Sequence, residues 1–250
     1  MRGRVSMKDP RRLADEFVSG LKRDLGERMR SAALFGSAAR NEWIDGVSDV
    51  NVLVLVDDVD AALLARAAPV ARGSAKQGVL PLLMELEEWR RAADVFTIEL
   101  ADMRDAHVSL FGDDPVEHYV PDGTNLRLQA ERELRAKLLH LHAGMLLAAG
   151  DRKRLGQLLL HALPSFTTYL RAVLRLSGHP VPMATPDVIE HGCRLVGADG
   201  EVFQRVHGAR TSGAKLELDL ADPLAERFNS SAQRLAEYID AYGGNPDHDT

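Results

Sequence analysis

The spacing of apolar residues changes along the chain, and the change predicts two differently built parts. In the first part, helical spacing alternates with short runs that are almost wholly apolar and rich in β-branched residues. Such runs are typical of strands buried on both faces of a sheet. Strands are predicted at residues 32–35, 50–56, 79–84 and 95–100. Helices are predicted between and around them, at residues 10–30, 60–72 and 85–92. This alternation favours a mixed β-sheet covered by helices.

The second part has helical spacing throughout. Turn sequences at Asp113-Asp114-Pro115 and Pro121-Asp122-Gly123 separate it from the first part. Amphipathic patterns then predict helices at residues 124–149, 153–177, 186–197, 199–208 and 222–242. The predicted fold class is therefore α+β: a mixed-sheet domain at residues 9–120, a helical bundle at 121–243 and a frayed tail at 244–250.

Composition narrows the range of functions. Apolar residues make up 45% of the chain and charged residues 27%, which is ordinary globular composition. The net charge of −6 argues against a nucleic-acid-binding protein and suits a cationic small substrate or a protein partner. Cys193 stands alone, so no internal disulfide can form. No apolar run reaches membrane-spanning length, and the basic N-terminus lacks the apolar stretch of a secretory signal, so we expect a cytoplasmic protein.

A group of small and acidic residues lies at the first two predicted strands. The first strand ends in Gly36-Ser37, and Asp49-Val50-Asn51 opens the second after a spacing of eleven residues. A strand that ends in Gly-Ser and leads into a helix would offer backbone amides and a hydroxyl to a phosphate group, and Arg40 could add a charged contact. Residues 49 and 51 are two apart on a strand, so their side chains should point from the same face.

This arrangement resembles the signature of the nucleotidyltransferase superfamily, which includes DNA polymerase beta and the kanamycin nucleotidyltransferases. The resemblance implies that Gly36 and Ser37 hold a nucleoside triphosphate. It also implies ATP as the co-substrate and a small molecule as the acceptor. It also implies a pair of carboxylates at positions 49 and 51 that hold Mg²⁺ or Mn²⁺, with a third acid on a neighbouring strand. Glu99, in the apolar sequence Ile98-Glu99-Leu100, is our choice for that third acid.

Asn51 departs from the pattern, since an amide stands where the superfamily carries a carboxylate. An amide oxygen can ligate Mg²⁺, but it supplies no charge and is the poorer ligand. The predicted metal ligands are therefore Asp49, Asn51 and Glu99, with Asp49 and Glu99 as the catalytic acids. Because of this substitution, two alternatives stay open. The protein uses one metal ion, or it is a relative that binds nucleotide without catalysing transfer.

The predicted function is transfer of a nucleoside monophosphate from a nucleoside triphosphate to a hydroxyl of a small, aminoglycoside-like acceptor. The alternative is a weakened or silent relative that binds nucleotide or a protein partner. The helical part resembles the bundle of kanamycin-nucleotidyltransferase-like proteins and their HEPN relatives. This resemblance makes a homodimer one of the expected assemblies. Arg135 and His140 have the spacing of HEPN ribonucleases, a spacing that also arises by chance in a helix rich in Arg and His. No membrane and no nucleic-acid partner are expected.

Overall fold

The structure is a computed structural model that describes residues 8–242. The chain divides into two compact units between Val120 and Pro121. The C-terminal tail predicted at residues 244–250 lies outside the described residues. Among the described helices, none is both long enough and apolar enough to cross a membrane.

The first unit contains a four-stranded mixed sheet with helices on both faces. Its helices are α1 (Pro10–Leu25), α2 (Ala61–Ala75), α3 (Leu86–Arg91) and α4 (Thr97–Asp105). Its strands are β1 (Met29–Phe35), β2 (Val50–Val56), β3 (Val79–Glu85) and β4 (His107–Gly112). The strand order is β3-β2-β1-β4; β1 runs antiparallel to β2 and β4, whereas β2 and β3 are parallel.

Strand β2 lies inside the sheet and is buried on both of its faces. Its valines at positions 50, 52, 54 and 56 pack with α1 and α2. Leu53 and Leu55 point to the opposite face and pack with Trp89 of α3 and with Leu100 and Met103 of α4. Burial of both faces explains why the sequence of β2 is almost continuously apolar. We call the second surface, which carries Leu53 and Leu55, the α4 face of the sheet.

Two predicted features of the first unit are wrong. The run 95–100, predicted as a strand, instead leads into α4, and the Thr97 hydroxyl donates to the backbone carbonyls of Ala93 and Asp94 at 3.3 and 3.2 Å. Buried Leu100 and Met103 give that helix an apolar side against the sheet. The fourth strand is β4, which the apolar pattern did not predict.

The second unit consists of helices, as predicted. They are α5 (Gly123–Leu147), α6 (Arg152–Leu176), α7 (Thr185–Val196), α8 (Gly200–Ser212) and α9 (Pro223–Tyr242). Aspartates cap several of them, with Asp122, Asp151 and Asp199 accepting from backbone amides of the first turn. Buried Phe166, Phe203 and Phe228 pack together with ring centroids 4.9 to 6.1 Å apart; Phe166 and Phe203 are stacked, and Phe228 meets both rings edge to face.

Candidate functional site

The Gly36-Ser37 segment forms a tight turn at the end of β1. Gly36 has φ of +75°, a backbone conformation that glycine adopts readily. The amide of Arg40 donates to the Gly36 carbonyl at 3.3 Å, and the amide of Glu42 donates to the Ser37 carbonyl at 2.9 Å. The helix predicted after Gly-Ser is therefore wrong: residues 36–41 close on themselves as turns. A phosphate site here would depend on the turn and not on a helix dipole.

Asn51 lies directly beside this turn. It is the cross-strand partner of Phe35, the last residue of β1. A Cβ atom added to Gly36 would stand 3.1 Å from Nδ2 of Asn51, and the structure gives it no other neighbour within 4 Å. The absence of a side chain at Gly36 is thus what leaves room for the Asn51 amide. The two motifs singled out in the sequence, 36–37 and 49–51, meet at one end of the sheet.

Asp49 precedes β2 by one residue and is exposed. The amide of Val50 donates to the Gly78 carbonyl at 2.8 Å, which fixes the start of the strand next to Asp49. Phe35, the partner of Asn51, packs on the α4 face of the sheet. Because cross-strand partners share a face, Asn51 belongs to the α4 face as well. Asp49 is two residues away, so strand alternation favours the same side for its carboxylate.

The neighbouring strand β3 places leucines, not an acid, beside Asn51. Leu80 is the register partner of Asn51, and Leu82 is the partner of Leu53. Both leucine side chains are exposed, Leu80 at 45% and Leu82 at 36%. The β3 positions next to Asn51 and Leu53 on this face therefore carry no acid.

Glu99 is half-buried in the first turn of α4 and not on a strand. Its helix nevertheless covers the same side of the sheet, because Leu100 and Met103 pack with Leu53 and Leu55 on the α4 face. The strand position predicted for Glu99 is thus corrected, while its role at the site stays a prediction.

Arg40 forms an internal ion pair. Its guanidinium lies 3.1 Å from the Asp102 carboxylate, and 7% and 18% of the two side chains are exposed. Arg40 also donates to the backbone carbonyl of Asp102 at 3.4 Å. The contact ties the turn after β1 to α4. The phosphate role predicted for Arg40 stays a prediction, and the structure gives its charge a partner within the protein.

His107 continues the row of residues across the sheet. It is the partner of Phe35 on β4, opposite to Asn51 on β2. Its Nδ1 lies 2.7 Å from the Met103 carbonyl and its Nε2 lies 3.0 Å from the Asp114 carboxylate. The ring therefore joins α4, β4 and the segment after it, which is a structural role that the sequence did not indicate.

A metal centre built from three acids does not fit these residues. Within residues 8–242, no group of three His, Cys, Asp or Glu is placed so that it could hold a metal ion. The oxygen donors that the sheet itself offers beside the turn are the Asp49 carboxylate and the Asn51 amide. Mg²⁺ that is bound mainly by substrate phosphates needs one or two protein carboxylates, and this smaller requirement is within reach of the site.

Arg135, one of the two residues singled out in the bundle, forms ion pairs within the protein. The Arg135 guanidinium lies 2.6 Å from Asp240 and 3.3 Å from Glu131, and these two carboxylates raise the pKa of Arg135. Glu131 also pairs with Arg127 at 2.8 Å. The contacts account for Arg135 as a surface residue that joins α5 to α9.

Comparison with known proteins gives the fold. No family model and no curated protein matches the chain. A similar solved structure is that of spectinomycin adenyltransferase AAD(9) from Enterococcus faecialis with ATP and spectinomycin. It superposes with a TM-score of 0.57 at 14% sequence identity, over 90% of this chain and 98% of that one. The similarity extends through both units and supports the predicted mixed-sheet domain followed by a helical bundle.

Proposed function

We propose that this chain, which has the nucleotidyltransferase fold, binds a nucleoside triphosphate at the Gly36-Ser37 turn and transfers a nucleoside monophosphate to a hydroxyl of a small acceptor. The observation that carries the proposal is the position of Asn51 opposite Phe35 and beside the side-chain-free Gly36, which brings the turn and the acidic segment together. Exposed Asp49 is next to them and can reach a bound ligand. The fold shared with an ATP-bound adenyltransferase adds to this support.

The turn and the residues beside it have different roles in the proposed reaction. The Gly36-Ser37 turn holds the phosphates through backbone amides and the Ser37 hydroxyl. Asp49, Asn51 and Glu99 are the residues whose oxygens would hold a cation that accompanies the phosphates. The acceptor oxygen forms a bond to the α-phosphorus, the bond from that phosphorus to the bridging oxygen breaks, pyrophosphate leaves, and the hydroxyl proton passes to solvent. A divalent cation bound together with the phosphates would offset their charge during the transfer step.

ATP and an aminoglycoside-like compound are the first substrates to consider. The solved structure contains ATP and spectinomycin. The net charge of −6 also favours a cationic acceptor. The proposed substrates are therefore ATP and a cationic small molecule that carries a hydroxyl group.

A second candidate is nucleotide binding without transfer. Two observations favour it: the second motif position is Asn51, and the described residues contain no group of three metal-binding side chains. In this case the turn would still hold nucleotide, and the protein would act as a sensor or as a binding partner of another protein. The two candidates share the binding site and differ in turnover.

Pyrophosphate release separates the two candidates. The native chain is incubated with ATP, Mg²⁺ and a panel of hydroxyl acceptors that includes spectinomycin, with Asp49→Asn as the matched variant. Acceptor-dependent release that is lost in Asp49→Asn supports transfer. Calorimetric ATP binding without release supports the second candidate. A chain that binds neither ATP nor another nucleoside triphosphate would exclude both.

A further inference from the structure

Leu80 occupies the position from which β3 could supply a metal ligand. Strands β2 and β3 pair in parallel, with Leu80 opposite Asn51 and Leu82 opposite Leu53. Four residues further along the same strand face, Met84 is the partner of Leu55, and both pack on the α4 face of the sheet. By alternation, Leu80 and Leu82 lie on that face too. Neighbouring side chains on one face of a sheet are close enough to share a ligand.

The charges available at this end of the sheet are few. Asp49 carries one negative charge, Asn51 carries none, and Leu80 offers neither charge nor a donor oxygen. Mg²⁺ is a hard cation that sheds its water reluctantly, and carboxylates are the protein ligands that compensate best for that cost. The sheet therefore contributes a single carboxylate where a tightly held ion would need several.

Other acids do not restore the missing ligand on β3. Glu85 stands at the far end of the strand, level with Val56, and its carboxylate accepts from the amide of Val59 at 3.0 Å. Glu99 comes from α4 and is half-buried. The direct partners of Asn51 on the two adjacent strands are the apolar Leu80 and Phe35. His107, next in the row on β4, already contacts the Met103 carbonyl and the Asp114 carboxylate.

We propose that this site binds its nucleotide with little dependence on a divalent cation, and that residues 51 and 80 together determine this property. The inference rests on the proposed nucleotide site and specifies how that site holds its ligand. Turn and side-chain groups around Gly36, Ser37 and Asn51 carry the phosphates, while Leu80 leaves the cation without a ligand from β3. An acid at both positions would convert the site to a cation-dependent one.

The test compares ATP binding in Mg²⁺ with ATP binding in EDTA. Calorimetry is done on the native chain and on the double variant Asn51→Asp/Leu80→Glu. Titration of Mn²⁺ alone gives a second measurement that needs no nucleotide. The matched control is Asn51→Asp/Leu82→Glu, which adds the same charges on the same strand face, two residues further from the turn and level with Leu53. Circular dichroism confirms that each variant is folded, and exposed Leu80 and Leu82 should accept a polar side chain.

We expect the native chain to bind ATP about equally in Mg²⁺ and in EDTA. The Asn51→Asp/Leu80→Glu variant should bind Mn²⁺ and should lose roughly tenfold or more of its ATP affinity in EDTA, equivalent to about 1.4 kcal/mol. The Leu82 control should show a smaller cation effect. Native ATP binding that disappears in EDTA would overturn the inference and leave the proposed function intact. No effect of the double variant on Mn²⁺ binding would overturn the assignment of residue 80. Absence of ATP binding in both buffers would refute the proposed function itself.

Discussion

Arg40 and Asp102 join the turn after β1 to helix α4 through an ion pair of 3.1 Å that is largely shielded from solvent. Arg40 follows Gly36-Ser37 within the turn, and Asp102 lies one helical turn beyond Glu99. The pair therefore links the proposed phosphate-binding segment to the helix that carries the remaining candidate acid. Loss of the ion pair should lower the stability of the first unit and disturb the geometry of the proposed site.

Removal of one partner should destabilise the first unit. Asp102→Ala leaves the 7%-exposed Arg40 guanidinium without its carboxylate, and breaking a buried pair in this way costs about 3 kcal/mol. Chemical denaturation measures the loss, and Arg40→Met/Asp102→Ala should recover part of it. The control is Glu87→Ala, because Glu87 pairs with Arg90 at the surface with both side chains more than 60% exposed. Equal losses at the two sites would contradict the structural role of the Arg40 pair.

Alanine at Gly36 should damage the site beyond its effect on the backbone. Gly36 and Gly46 have nearly equal φ angles, +75° and +74°, so alanine should cost about 1 kcal/mol at either position. A Cβ at Gly36 also meets Asn51 at 3.1 Å, whereas a Cβ at Gly46 meets nothing within 4 Å. Calorimetry with ATP should therefore show weaker binding for Gly36→Ala and native binding for Gly46→Ala.

A shortened side chain at position 51 provides a further check on the Gly36 result. Asn51→Ser removes the amide nitrogen that the added Cβ would meet. In that background Gly36→Ala should cost less stability than in the native chain, and a double-mutant cycle measures the difference. Additive effects would show that the two residues do not contact each other.

Asp49→Asn should separate function from stability. Asp49 is exposed and precedes the strand, so its substitution should change the free energy of unfolding by less than about 0.5 kcal/mol. ATP turnover in the presence of an acceptor should fall, because the site loses its sheet carboxylate. Asp45→Asn is the comparison, since Asp45 is an exposed loop aspartate whose contact is a surface ion pair with Lys8 at 3.5 Å. Equal activity of the two variants would remove Asp49 from the site.

Cys193 should be unreactive in the folded protein. It is buried in α7, and burial, with a smaller effect of Asp199, raises the pKa of its thiol to about 12. Since the thiolate is the reactive form, a thiol reagent at pH 8 should label the chain only after denaturant is added. Above the ordinary thiol pKa the unfolded chain loses the thiol proton while the folded chain keeps it. The free energy of unfolding should therefore decline as pH rises from that value towards 12, and Cys193→Ser should lack that part of the pH dependence. Rapid labelling of the native chain would contradict the burial.

The sequence predicted the elements whose local pattern and tertiary environment agree. Strand β2 is apolar at every position but Asn51, and the structure buries both of its faces. The helices of the second unit were predicted within a few residues, apart from the end of α8, because their apolar faces pack inward and aspartates cap the starts of α5, α6 and α8. The α+β fold class is confirmed.

The errors came from features that depend on distant partners. The segment around Glu99 has an apolar composition that suits a strand, but packing of Leu100 and Met103 on the sheet favours the helix. Strand β4 was missed because its residues are only half-buried or exposed. The position of Leu80 opposite Asn51 depends on the register between β2 and β3, and the spacing of residues along one chain does not specify that register.

Strand β3 forms one edge of the sheet, and Pro81 lies within it between the exposed leucines. An edge strand with apolar side chains is a template on which another polypeptide can add a strand, and so a starting point for aggregation. Proline has no amide hydrogen, so it removes one donor from the ladder that an added strand would need. Pro81 should therefore protect a surface whose leucines would otherwise favour self-association, and replacing it would be expected to lower solubility before it alters ligand binding.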